Sequence, residues 1–191
     1  MRDITTAVIF AGGKSSRMGK DKALLPFANY PTLAEFQQAK LSRLFDEVYI
    51  SAKENKFDFD CRMIQDNYRE NSPLVGIISV FETLKAEEVF ILSVDAPFVS
   101  NETIEKILKQ DDSGFDVVVA QSPSGVQPLC GLYKRSILPL AYRQLEKENH
   151  RLGDLLHLAN TLFVAFDDDA PFTNLNRPEE YQQALKSFEN R

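Results

Sequence analysis

The chain has 191 residues, of which 43% are hydrophobic and 26% charged, and its formal net charge is -6. This length predicts one globular domain with a sizeable core and leaves no room for two full domains. The acidic balance argues against a nucleic-acid partner, which would require a basic face, and against binding to an anionic membrane surface.

The first apolar run and the cysteines indicate a reducing compartment. The run AVIF at 7–10 is followed by a glycine-containing loop and is too short for a signal peptide or a membrane span. Cys61 and Cys130 lack CxxC or Cys/His spacing, so we interpret them as buried apolar thiols. A cytoplasmic location is the expectation.

Apolar strand-like runs and helical stretches alternate up to Gln121. The predicted strands cover 5–10, 47–52, 61–66, 87–94 and 116–121, and the predicted helices cover 31–45, 73–85 and 101–110. Ser100 is placed to cap the third of these helices. Because the strands are almost purely apolar, both faces of their sheet should be covered by helices. The predicted fold class is therefore a three-layer α/β/α domain with a mostly parallel sheet.

The pattern changes after Gln121. A turn at 122–125 precedes predicted strands at 128–133, 161–166 and 172–176, and predicted helices at 137–149 and 178–188. His150 and His157 stand two turns apart on a predicted helical stretch and match neither a metal pair nor a triad. We interpret 122–191 as an elaboration of the first sheet that carries a second substrate's pocket.

The loop after the first strand has the composition of a phosphate-binding loop. It reads AGGKSSRMGKDK and contains Lys14, Arg17, Lys20 and Lys22. Glycine would let the amides of Ala11, Gly12 and Gly13 approach phosphate oxygens. Arg17 and Lys22 would then neutralise charge. The glycine spacing matches neither the Walker loop nor the dinucleotide fingerprint, and a glycine turn with a solvated basic flank is the alternative.

Two aspartates lie at the ends of predicted strands, at the edge of the sheet that carries this loop. In an open parallel sheet, ligands bind beyond the carboxyl ends of the strands. Asp95 beside a bound polyphosphate favours an intervening Mg²⁺, which prefers one or two carboxylates plus phosphate oxygens. An Asx turn is the alternative. Asp66 would face a ribose or a base, or would simply close a turn.

Three further positions are candidates for ligand contact. Gly76 lies in the first turns of the predicted helix 73–85, where glycine costs stability unless a nucleobase or a packed neighbour must come close. Asn174 and Asn176 share one face of the predicted strand 172–176. Asn176 or Arg177 could equally cap the helix that begins at Pro178.

Four segments together resemble a known family. AGGKSSRMGKDKALLPF resembles the L-A-G-G-x-S-x-R-M-G-x-D-K signature of molybdenum cofactor guanylyltransferases, which are Rossmann-like nucleotidyltransferases. SPLVGI, VDAPF and FTNLNRPEEY resemble that family's GPLAGI, C-D-x-P and F-x-N-x-N-x-P-E-E motifs. The resemblance extends over nearly the whole chain. Departures are Phe10 for leucine, Ser72 for glycine and Ser51 where some members have asparagine, and the last two bear on guanosine contacts.

The resemblance implies transfer of GMP from GTP to the phosphate of molybdopterin, with release of pyrophosphate. Residues 1–121 would bind the nucleotide and 122–191 the acceptor. It implies Mg²⁺ at Asp95, charge stabilisation by Lys22 and a contact of Arg17 with the β/γ phosphates. The other implied ligand contacts are Phe10, Ala11, Gly12, Gly13, Ser51, Asp66, Gly76, Asn174 and Asn176.

Molybdoenzymes or their chaperones are the implied protein partners. Two alternatives stay open. One is a CTP-dependent cytidylyltransferase acting on the pterin or on a sugar-alcohol phosphate. The other is a nucleotide-binding module without catalytic activity.

Overall fold

The computed structural model describes residues 5–12, 21–66, 68–110 and 113–189. The strands are β1 (Thr6–Phe10), β2 (Glu47–Ala52), β3 (Arg62–Gln65), β4 (Glu88–Ser93), β5 (Val117–Ser122), β6 (Gly125–Lys134) and β7 (Thr161–Ala165). The helices are α1 (Leu33–Leu41), α2 (Pro73–Thr83), α3 (Asn101–Leu108), α4 (Leu138–Glu146), α5 (Leu152–Leu158) and α6 (Pro178–Glu189). Short 3-10 turns cover Lys22–Leu24, Arg135–Ile137 and Ala170–Phe172.

Within the described residues, seven strands form one sheet in the order β3-β2-β1-β4-β6-β5-β7. All neighbouring pairs are parallel except those of β6, which runs antiparallel to both β4 and β5. The predicted fold class, a mostly parallel sheet flanked by helices, is confirmed. Because β6 lies between β4 and β5, the chain after Gln121 extends the same sheet.

Alternate residues of the central strands supply two cores, one on each face of the sheet. Ala7 and Ile9 of β1 pack with α1, α3 and α6, whereas Val8 and Phe10 pack with α2, α4 and α5. All five residues of β1 are buried. A strand covered on both faces needs this unbroken apolar sequence, which is why the run was recognisable from the sequence.

Short polar side chains start the helices that follow the strands. Ser100 caps α3 by accepting from Thr103 N, as predicted, and Ser72 caps α2 by accepting from Val75 N. Such a cap contributes about 1 kcal/mol to helix stability. Helices α2 and α3 therefore begin at positions that are fixed by short-range capping hydrogen bonds.

Two predicted elements are wrong, and Cys61 is not buried. Residues 172–176 are not a strand, because Leu175 N donates to Asp95 O at 2.9 Å instead of joining a strand ladder. His150 lies between α4 and α5, and only His157 is helical. Cys130 is buried but Cys61 is partly exposed, and both thiols are free.

No helix in the described ranges has the length and apolar character that a membrane span requires.

Candidate active site

Asp95 lies one residue beyond Val94, just after the end of β4. Its Oδ1 accepts from the Ser93 hydroxyl at 2.6 Å, and its Oδ2 accepts from Lys22 Nζ at 2.7 Å. The side chains of Asp95 and Lys22 are each 16% exposed. The carboxylate is thus oriented at both oxygens while it stays within reach of solvent.

Lys22 opens the 3-10 turn that follows the first loop. The Asp21 side chain caps this turn by accepting from Ala23 N at 3.0 Å. Lys22 Nζ donates to Asn176 Oδ1 at 3.1 Å as well as to Asp95. Three parts of the chain therefore meet at one ammonium group.

The segment before α6 is fixed by hydrogen bonds at both of its ends. Leu175 N donates to Asp95 O, and the Glu180 carboxylate accepts from the backbone N–H groups of Asn176 and Arg177 at 2.7 and 2.9 Å. Glu180, a residue of α6 itself, thus accepts hydrogen bonds from the backbone N–H groups that precede this helix. The Asn176 side chain contacts Lys22 instead of capping α6, so the capping interpretation of Asn176 is wrong.

Lys56 is a site residue that the sequence analysis missed. Its Nζ donates to Ala11 O at 3.0 Å and also to the Asp21 carboxylate. It therefore ties the end of β1 to the turn that presents Lys22. A lysine in a polar loop gives no sequence signal for this role, since its partners lie 45 and 35 residues away.

The start of the first loop is held by the sheet. Ala11 N donates to Ser51 O at 2.9 Å, and Phe10 O accepts from Val94 N at 3.0 Å. The Ala11 amide consequently belongs to the sheet, which corrects the expectation that it points at a phosphate. Gly13 and Arg17 lie outside the described residues.

A smaller cavity of about 150 Å³ lies beside the end of β1. Its walls include Phe10, Gly12, Ser51, Asp66, Ser72 and Gly76. A Cβ atom at Gly76 would come within 2.8 Å of Phe10 Cε2. The structure therefore supports close packing as the reason for this glycine, because the Phe10 ring lies directly against it and also lines the cavity.

Asp66 supplies the acidic group of this smaller cavity. Burial raises the pKa of its carboxyl group, and nearby Ser79, Ser51 and Lys53 offset part of that rise. Its Oδ1 is buried and forms no hydrogen bond with the described residues, and the same is true of the Ser79 hydroxyl. A buried acceptor in this state costs free energy unless a ligand donates to it.

A larger cavity of about 400 Å³ adjoins the first. Pro73, Ser93 and Leu129 line both cavities. The polar side chains of the larger cavity include those of Asp95, Gln127, His150 and Asn174, and its apolar wall includes Val99, Leu129, Leu152 and Phe172. Asn174 and Asn176 thus both reach the Asp95 region, although from an irregular segment rather than from a strand.

Helix α1 supports the turn that carries Asp95. Gln37 Nε2 donates to Val94 O at 3.1 Å, and Lys40 Nζ donates to Val99 O at 2.9 Å and to Pro97 O at 3.4 Å. Burial lowers the pKa of Lys40 to about 7, although part of its side chain reaches the surface. Both side chains therefore use their donors to position the backbone of the turn that carries Asp95.

A mostly parallel sheet with two adjoining cavities at its carboxyl edge can hold a nucleotide and an acceptor side by side, as a nucleotidyltransferase must. The chain belongs to the family of MobA-like NTP transferase domains, whose family model matches residues 7–162.

Relatives and a solved structure support this assignment. The molybdenum cofactor guanylyltransferase of Campylobacter jejuni is 39% identical over 178 residues, which cover 92% of this chain and 93% of the relative. That of Helicobacter pylori is 38% identical over 184 residues, covering 94% and 87%. Molybdopterin-guanine dinucleotide biosynthesis protein A of Archaeoglobus fulgidus matches with a TM-score of 0.84 at 18% identity, covering 98% and 100%, and so shares the fold.

Proposed function

We propose that this protein transfers GMP from GTP to the phosphate of molybdopterin, forming molybdopterin guanine dinucleotide and pyrophosphate. The observation that carries the proposal is the adjacency of the two cavities beside the Lys22–Asp95 pair. The names of the Campylobacter and Helicobacter relatives support the choice of substrates. Molybdoenzymes or their chaperones would receive the product.

The smaller cavity would take the guanosine. The buried Asp66 Oδ1 needs hydrogen-bond donors, and guanosine supplies them through N1–H, the 2-amino group and the ribose hydroxyls. Gly12 and Ser51 line the same cavity and would contact the nucleotide from the ends of β1 and β2. Gly76 acts indirectly in this arrangement, because it leaves room for the Phe10 ring.

The larger cavity would take the molybdopterin. Its apolar wall suits a flat pterin ring, and Gln127 and Asn174 offer amide groups to the heteroatoms of that ring. The cavity is lined by Ser93, Asp95, Ala96 and Val99 as well as by residues beyond 121. We therefore propose that residues before 121 contact the nucleotide and that residues after 121 make most of the contacts with the acceptor.

The transfer step needs no covalent enzyme intermediate. An oxygen of the acceptor phosphate attacks the α-phosphorus in line, and the bond from that phosphorus to the α–β bridging oxygen breaks. Pyrophosphate leaves with the bonding electron pair. Catalysis then depends on positioning and charge stabilisation. Lys22 would hold the negative charge on the phosphates, and Arg17 would hold the β/γ end.

The Asp95 carboxylate would suit Mg²⁺ in place of the Lys22 ammonium that contacts its Oδ2. In the part of the chain that the structure describes, His, Cys, Asp and Glu form no cluster of three or more that could hold a metal ion. One carboxylate at a phosphate site is what Mg²⁺ requires when phosphates and water complete its shell. Asp95 would hold the ion, which would supply positive charge to the phosphates, with Asn174 and Asn176 nearby.

We expect GTP to bind at least about tenfold more tightly than CTP, a difference of about 1.4 kcal/mol. The reason is that guanine carries two adjacent donors for Asp66. Calorimetric titration with GTP, CTP, ATP and UTP in the presence of Mg²⁺ measures this preference. Equal or reversed affinity would move the protein to the cytidylyl class. Tight GTP binding without transfer to molybdopterin would favour the non-catalytic module.

We expect GTP affinity to fall as the pH is lowered from 8 towards 5. Burial raises the pKa of Asp66, so its carboxyl group takes up a proton at higher pH than an ordinary aspartate, and the protonated form is a poorer acceptor. Asp66→Asn should weaken GTP binding by about tenfold at pH 8 and should flatten the pH profile. Titrations of both proteins across this pH range measure the effect.

The same variant should be slightly more stable than the wild type at pH 8. The folded pKa lies above the unfolded one, so the wild type loses stability as the pH rises between the two values. Removing the charge should raise Tm by about 1–3 °C. Asp58→Asn, at an exposed aspartate, is the matched control. A drop in Tm together with unchanged GTP binding would make Asp66 a structural residue only.

A further inference from the structure

We propose that His150 binds the acceptor substrate through Nε2–H and that Ser72 orients it by fixing the tautomer of its ring. This inference rests on the proposed function, because it names a residue that recognises the phosphorylated acceptor. Nothing in the sequence motifs points to His150. The observation behind it is a hydrogen bond between a residue that lines the smaller cavity and a residue that lines the larger one.

The hydrogen bond joins two residues that are 78 positions apart. His150 Nδ1 lies 2.9 Å from Ser72 Oγ. Ser72 lines the smaller cavity and His150 lines the larger one, and Pro73 borders both. The contact therefore links the start of α2 with the irregular segment between α4 and α5.

The role of Ser72 as a helix cap is compatible with donation of its hydroxyl hydrogen to the His150 ring, and the proposal assigns the ring proton on that basis. Ser72 Oγ already accepts from Val75 N at 3.3 Å, so its own hydrogen is available for donation. We assign His150 Nδ1, which lies 2.9 Å away, as the acceptor of that hydrogen. A neutral histidine that accepts at Nδ1 carries its proton on Nε2. Nε2–H forms no hydrogen bond with the described residues, and the ring lines the larger cavity.

An Nε2–H donor suits an anionic, oxygen-rich ligand. The Asp95 carboxylate lines the same cavity and would repel a phosphate monoester unless donors or cations offset it. His150 would supply one such donor from the wall of the larger cavity. We therefore assign its partner as an oxygen of the phosphorylated pterin.

Two substitutions separate the two ring nitrogens. The amide of asparagine replaces Nδ1 and keeps the contact with Ser72, whereas the longer glutamine places its amide where Nε2 lies. We expect His150→Asn to raise the KM for molybdopterin about tenfold, and His150→Gln to raise it less than about threefold. The KM for GTP should stay within about twofold in both variants.

His157→Gln is the matched control, because His157 is exposed on α5. Thermal unfolding of all variants tests whether they are folded. An unchanged molybdopterin KM in His150→Asn would overturn the proposal. So would an equal rise of both substrate KM values in the two variants, since that pattern indicates a structural role.

The tautomer has a readout that does not depend on activity. The chain has two histidines, so ¹⁵N-labelled wild type and His157→Gln together assign the imidazole signals. We expect His150 to show a protonated Nε2 and an unprotonated Nδ1, and Ser72→Gly to abolish this preference. A protonated Nδ1 in the wild type would overturn the orienting role of Ser72. Failure of the wild type to transfer GMP at all would instead reject the proposed function.

Discussion

Asp95→Asn should lower the rate of GMP transfer by about 10²–10³-fold while the fold is kept. Asparagine has nearly the same shape and can still accept from the Ser93 hydroxyl, which donates to Asp95 at 2.6 Å. It lacks the negative charge that would hold Mg²⁺ against the nucleotide phosphates. Single-turnover rates at saturating GTP and molybdopterin, measured over a range of Mg²⁺ concentrations, give the effect.

The matched control for this variant is Asp116→Asn. Asp116 accepts from the Ser136 hydroxyl and from Asn160 N, and it does not line either cavity. The control should keep the transfer rate of the wild type. Near-normal turnover of Asp95→Asn at saturating Mg²⁺ would remove Asp95 from the proposed metal site.

Lys22→Ala should lower the chemical rate by about 10²-fold, whereas Lys20→Ala should cause only a mild, salt-dependent rise in the KM for GTP. The two lysines carry the same charge, so simple attraction of phosphate would make them interchangeable. The ammonium group of Lys22 is directed at Asp95 and Asn176, and the resemblance assigns the role in the chemical step to Lys22 rather than to Lys20, which lies outside the described residues. Single-turnover measurements at saturating GTP separate the chemical step from binding.

If the two substitutions slow the chemical step equally, the loop acts only as a basic patch that attracts phosphate.

Metal binding offers a further distinction, because Lys22 and Mg²⁺ compete for the same carboxylate. In the present arrangement Lys22 Nζ donates to Asp95 Oδ2 at 2.7 Å. Both proposed roles therefore require this ion pair to open when the nucleotide and the metal bind. Lys22→Ala should keep Mg²⁺ binding, and Asp95→Asn should lose it.

The elements of the fold could be predicted where local sequence determines them. β1 and β4 are unbroken apolar runs because helices cover both of their faces, and Ser100 is a cap because its side chain serves a backbone N–H three residues away. The position of β6 between β4 and β5 could not be predicted. It depends on pairing between strands that are distant in the chain, and local patterns do not encode this.

The residues of the site also separate into those whose place local sequence predicts and those whose place it does not. Asp95 and Asp66 could be placed at the sheet edge because each follows a strand. The segment containing Asn174 has a strand-like pattern because Leu175 stands between two asparagines. Leu175 is nevertheless buried without joining the sheet, and its backbone N–H donates to Asp95 O. The roles of Lys56 and His150 come from contacts made across 35–78 residues. No local spacing reports such contacts.

The hydrogen bonds of Lys22 also bear on how the protein matures during synthesis. They span 73 residues to Asp95 and 154 residues to Asn176, so the last partner is translated long after the first. Contacts of such high sequence separation form late, because closing the intervening chain costs entropy before the contacts stabilise it. The strands β1 to β4 can pair on a partly made chain, but the cluster around Lys22 cannot be completed until Asn176 has left the ribosome. A nascent chain can therefore acquire most of its sheet while it still lacks the full set of contacts at Lys22.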